Sequence, residues 1–293
     1  MMFFQVRGIR HAKINVSIQL RRICQQKNLT NLRNVLTFLQ LILRNGSSME
    51  LNELYSEIVR LRRRDLQKQK MLLPPENIAQ MAAAYDRQHR DVQSALVSNL
   101  ARQGDCAERK SLGLIQKIAP NEQLSAPEQF DFLQLARNFE QKKYAAVAVN
   151  CEKHFFGGAP SMLSGVTHLI NLPIIRWDFV IDAYEIMQSK LWGADAVRVN
   201  VALLENEDLT AIAAAAAEYQ LEIVAGVNSV DTLDRALQLP SPAAIYWESC
   251  ADCELFAELI TQIPEHIPVI VQEDGESVDC LNKLRIDALI TKK

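Results

Sequence analysis

Residues able to exchange protons or hold an anion fall at the ends of short apolar runs in the second half of the chain. They are Gln116, Lys117, Asn150, Glu152, Trp177, Asp178, Asn200, Gly226, Asn228, Glu248, Glu273 and Asp274. The set is acidic, and Lys117 and Lys153 are the nearby lysines. General acid–base chemistry needs a proton donor and an acceptor converging on one substrate. Carboxylates supply the acceptor; Lys117 is the donor at hand. It follows Gln116 by one, so on a regular strand the two face opposite sides and one of them points at helices. Cys250-Ala-Asp-Cys253 has metal or redox spacing but lacks a second cysteine pair, so it reads as structural. No metal and no cofactor is expected. His154 reads as an ordinary loop residue, and Gly157-Gly158 as serving backbone conformation in the same loop.

The elements that must position these residues are strands alternating with helices. Runs of strand length are Leu112–Ile118, Tyr144–Asn150, Pro173–Val180, Asp195–Leu204, Glu222–Asn228, Ala243–Ser249, Pro268–Asp274 and Asp287–Lys292. Most are apolar on both faces, as in a parallel sheet covered by helices. Between them lie amphipathic stretches such as Glu128–Lys142, Ile181–Trp192, Glu205–Tyr219 and Val230–Leu237. Eight such units predict an α/β fold, a (β/α)8 barrel spanning 112–293, with function at the C-terminal strand ends. An open doubly wound sheet is the alternative; no G-x-G-x-x-G follows the first run. The last run ends at the chain terminus, so no eighth helix follows it here. The wall between strands 8 and 1 is then open unless N-terminal helices cover it. Such a face is an association surface for a protein partner or a second copy.

Ahead of the barrel, residues 49–111 read as a helical extension. Leu51, Leu54, Tyr55, Ile58 and Leu61 follow the helical spacing, and Pro74-Pro75 stops the helix. The basic run Arg60, Arg62, Arg63, Arg64 reads as a solvated face. Residues 1–48 hold no acid and are rich in arginine. They read as a mitochondrial or plastid transit peptide, as a tail preceding a true start at Met49, or as a docking arm. Apart from the transit reading, a cytoplasmic protein is expected, since six irregularly spaced cysteines do not form a disulfide scaffold. A net charge of -3 and the absence of a long apolar run point away from nucleic acid and membrane.

Three stretches resemble the indole-3-glycerol-phosphate synthases of tryptophan biosynthesis. They are Cys151-Glu-Lys-His-Phe-Phe-Gly-Gly158, Leu172-Pro-Ile-Ile-Arg-Trp-Asp-Phe-Val-Ile-Asp-Ala-Tyr-Glu-Ile186, and Trp192-Gly-Ala-Asp-Ala-Val-Arg-Val-Asn-Val-Ala-Leu-Leu204. The family reads close to T-D-x-x-F-F-G-G, L-P-V-L-R-K-D-F-I-I-D-x-Y-Q-I and G-A-D-A-V-L-L-I-V-A-L-L there. The resemblance implies a TIM barrel with an N-terminal helical extension. It also implies a carboxy-lyase that closes a phosphorylated anthranilate–ribulose adduct to an indole, losing carbon dioxide and water.

The family's chemistry does not carry over residue by residue. Its first strand reads E-x-K-x-x-S-P; anchored on Ala119-Pro120, its Glu becomes Leu114, its Lys Gln116 and its Ser Ala119. The general-acid lysine of R-K-D-F becomes Trp177, and the fifth-strand Glu becomes Gly226. The Asn of the family's sixth-strand N-x-R-D-L motif becomes Glu248. Glu273 alone matches a catalytic carboxylate, with Asp274 beside it where the family has Ser. Gly275 is the phosphate-binding candidate; the family's phosphate-binding Gly-Ser or Gly-Glu turn after strand 8 falls at Lys292-Lys293. Losing one positioned acid commonly costs about 10²–10⁴ in rate. The resemblance together with these substitutions predicts a catalytically degenerate barrel acting as a binding or structural subunit. The alternative is a divergent active synthase. The pocket candidates are Gln116, Trp177, Asp178, Gly226, Glu248 and Asp274.

Overall fold

The structure, a computed structural model, describes residues 49–101, 112–120, 131–138, 144–154, 156–240, 242–248, 253–272 and 284–291. The readings of residues 1–48, Glu273, Asp274, Gly275, Cys250 and Lys292-Lys293 lie outside them. The chain divides into two compact units, Met1–Arg64 and Asp65–Lys293. Helix α1, Met49–Leu72, runs across that boundary. In the first unit its Arg60 is exposed and bonds Glu57 one turn back at 2.6 Å, as a solvated helix face does.

In the second unit Pro74 breaks the chain and helix α2, Pro75–Ala84, starts with a proline in its first turn. There a missing N–H costs nothing. Helix α3 follows at Val92–Ala101. The barrel then runs β1 Gly113–Ile118, α4 Phe132–Arg137, β2 Ala146–Val149, α5 Pro160–Thr167, β3 Ile174–Arg176 and α6 Tyr184–Trp192. It continues with β4 Ala196–Asn200, a 3₁₀ turn Val201–Leu203, α7 Asn206–Glu218, β5 Glu222–Val227 and α8 Val230–Leu237. The remaining elements are β6 Ala244–Trp247, α9 Cys253–Ile260, β7 Val269–Gln272 and β8 Ala288–Thr291.

All eight expected strands are present, in parallel and in chain order, and β8 closes the barrel onto β1. The third run is overlong as a strand: after Arg176 the chain leaves the sheet. The fourth ends in the 3₁₀ turn, where the Asn200 side chain accepts the Ala202 N–H. Among the described residues, no helix is long and apolar enough to cross a membrane.

Register decides which side chains fill the barrel. Ile115 pairs with Ala146 and Ile290, Ala148 with Ile175, and Ile175 with Ala196. Val224 pairs with Ala244, and Tyr246 with Ile270. Paired residues of parallel strands share a face, and these belong to one buried cluster. Val92 and Leu96 of α3 join it, so α3 closes the N-terminal floor of the barrel.

On the outer side, fully buried Arg176 ties β3 to α6. It donates to Asp178 at 2.9 Å, to Glu185 at 3.1 Å and to the Ser189 hydroxyl at 2.9 Å, and it stacks on Trp192. A buried charge this well paired fixes geometry more than it adds net stability.

Candidate functional site

The C-terminal strand ends form the mouth. Interior-facing positions there are Lys117 on β1, Trp177 just after β3, Arg198 and Asn200 on β4, Gly226 on β5, Tyr246 on β6 and Glu248 just after it. The center of this set is Arg198, whose side chain is 9% exposed. Its guanidinium lies 5.1 Å from the Trp177 ring centroid, 5.3 Å from Tyr246 and 5.7 Å from Phe179. Trp177 and Tyr246 meet edge to face at 4.7 Å. Rings caging a desolvated cation each contribute roughly 0.5–2 kcal/mol.

Glu248 balances the charge. One carboxylate oxygen pairs with the Arg198 guanidinium, and the other accepts from the Asn200 amide at 2.7 Å. Gly226 makes room for it: a Cβ there would lie 2.3 Å from Glu248 Oε1, the oxygen paired with Arg198. The carboxylate therefore reaches this space from β6, while β5 contributes no side chain.

Two expected pocket residues face elsewhere. Gln116 sits on the outer face of β1, fully buried, its amide donating to the Lys117 and Thr291 carbonyls at 3.1 and 3.3 Å. The interior position is one residue on, at Lys117, whose ammonium lies 5.9 Å from the Phe156 ring. The first-strand correspondence anchored on Ala119-Pro120 thus puts Leu114 and Gln116 outside the barrel. Asp178 also faces outward, on the same side as Arg176, and its carboxylate is consumed by that arginine and the Phe179 N–H. Trp177 faces inward, 2% exposed.

The loop after β2 is organised around structural bonds. Glu152 accepts the His154 and Phe156 N–H groups at 2.8 and 3.1 Å. A Cβ at Gly158 would strike the Asn150 carbonyl at 2.2 Å, which explains the glycine. His154 and Lys153 both reach Asp65, at 2.8 and 2.9 Å. Burial works to raise the Asp65 carboxyl, but the bonds from Lys153 and His154 outweigh it and hold it below its ordinary value.

Arg198 and Tyr246 went unnoticed in the sequence. The signal for Arg198 was available: the resembled fourth-strand motif has leucine there, and a charge in a strand apolar on both faces demands a partner. Among the described residues no His, Cys, Asp and Glu cluster fits a metal.

Eight parallel strands, helices between them and a polar set at the C-terminal ends define a TIM barrel. Tryptophan synthase subunit alpha from Legionella pneumophila is similar in fold, with a TM-score of 0.51 and 12% identity, over 70% of this chain and 87% of that one. The sequence profile of indole-3-glycerol phosphate synthase matches residues 55–244, and the chain belongs to that family. Relatives carrying that name include one from Caldanaerobacter subterraneus, 29% identical over 245 residues, 80% of this chain and 90% of the relative. Another, from Campylobacter jejuni, is 27% identical over 234 residues, 77% and 88% of the two chains.

Proposed function

We propose that this chain is a synthase-family barrel that has given up the ring-closing reaction and serves as a binding or structural subunit. One observation carries the reading: the mouth is filled by its own side chains. Trp177 stands where the resemblance places a general-acid lysine, and an indole cannot donate a proton at neutral pH. Arg198, the interior cation of β4, is neutralised by Glu248 and enclosed by three rings. A phosphorylated substrate would have to displace Glu248 from its pairing with Arg198 and Asn200.

The binding half of the reading draws on the outer face of β1. Leu112 and Leu114 are each 37% exposed there, and Leu114 pairs with Leu289 of β8. Apolar side chains on that seam suit a protein partner or a second copy better than water.

The competing reading is a divergent active synthase, a carbon–carbon lyase. Lys117 favours it, because an interior lysine on β1 is one residue from where the family's motif puts one. Complementation of a tryptophan auxotroph lacking the synthase separates the two. Expression of this chain is expected to leave the strain unable to grow without tryptophan; growth would establish the active synthase.

A further inference from the structure

The floor of the barrel holds charged groups that the mouth does not explain. Residues 87–93, the approach to α3 and its first two residues, are sewn to the start of β4 and β5. Asp195, fully buried, accepts Arg87 at 2.5 Å, the Arg90 N–H at 3.0 Å and the Ile174 N–H at 2.9 Å. Arg90 also donates to the Leu172 carbonyl at 2.8 Å and the Thr167 carbonyl at 3.2 Å. On the neighboring strand Glu222 accepts the first N–H groups of α3, Val92 at 2.6 Å and Gln93 at 3.0 Å. Those are the orphan donors of a helix start, and a carboxylate there also meets the positive end of the helix dipole.

His89 stands over this carboxylate. Its Nε2 is 3.3 Å from Glu222, and its Nδ1 is 4.0 Å from Asp195. We propose that His89 is a pH-operated latch: protonated, it holds the start of α3 on the barrel floor, and neutral, it lets that helix loosen. The stake is the plug itself, since Val92 and Leu96 are wholly buried among Ile115, Ala145, Ala146 and Ala288.

The surrounding charges set the direction. Glu222 from β5 and Asp195 just before β4 favour the imidazolium, as does Asp91 on His89's own segment. Arg87 and Arg90 lie on that segment, bonded to Asp195, and Lys190 of α6 feels Arg87, Asp195 and Asp86. The hydrogen bond to Glu222 raises the His89 pKa above 6.5, against the opposing effect of burial. A raised folded-state value means the latch contributes fully below the unfolded value and is lost as pH climbs through the raised one.

Amide hydrogen exchange of the full chain, corrected for intrinsic rates, reads this directly. Between about pH 5.5 and about pH 9, a span covering the histidine range, protection of the α3 amides is expected to fall severalfold. In His89→Gln it is expected to be low throughout and independent of pH. Should that variant not fold, His89→Lys keeps a cation across the range and is expected to give flat, high protection. Wild-type protection that does not change with pH, or a variant that retains the wild-type slope, overturns the latch.

Discussion

Glu248→Ala is expected to lower the free energy of unfolding by about 3–5 kcal/mol, the usual cost of removing one partner from a buried ion pair. The variant leaves the Arg198 guanidinium among Trp177, Tyr246 and Phe179 without its carboxylate. It also strips the Asn200 amide of its acceptor. Arg198→Leu, which installs the residue of the resembled motif, is expected to cost a similar amount by stranding Glu248. The double variant Arg198→Leu/Glu248→Leu should recover most of the loss, because replacing a whole buried pair by apolar side chains is often neutral or better. Urea unfolding of these proteins and of the single variant Glu248→Leu, which closes the cycle, yields the coupling energy. A cost below about 1 kcal/mol for Glu248→Ala would mean a solvated pair, as at a surface. An open mouth would then be the correct description.

Trp177→Lys puts back the residue type that the family's motif carries at this place. It is expected to destabilise the fold by about 3–5 kcal/mol, in the range of large core truncations. Two causes add: the indole's packing against Tyr246 and the interior is lost, and a second cation arrives beside Arg198. The variant is also expected to show no ring-closing activity, since Gly226 still offers no carboxylate and Arg198 with Glu248 still fills the mouth. Thermal melts alongside an indole-forming assay check both halves. A variant that melts like the parent and turns substrate over would show that Trp177 lines a usable pocket.

The strands were legible in the sequence because parallel strands buried on both faces read as continuous apolar runs, and each run here became a strand. The facing of individual residues was only partly legible. Alternation pointed Trp177 inward, and the same alternation places Asp178 outward with Arg176. On β1, alternation separates Gln116 from Lys117 without saying which is inside. That choice is made by pairing Ile115 with Ile290 and Ala146, a long-range register that no local motif encodes. Gly226 read as a lost carboxylate. Its meaning emerges only across strands, where Glu248 occupies the space beside it.

A mouth occupied by Arg198, Glu248, Trp177 and Tyr246 is expected to exclude a phosphorylated indole-type ligand. Titration calorimetry of the full chain with indole-3-glycerol phosphate measures this exclusion. No binding heat is expected at ligand concentrations below millimolar, because Glu248 already neutralises Arg198 and the Trp177 and Tyr246 rings pack against its guanidinium. A micromolar dissociation constant, worth about 8 kcal/mol of binding, would contradict it.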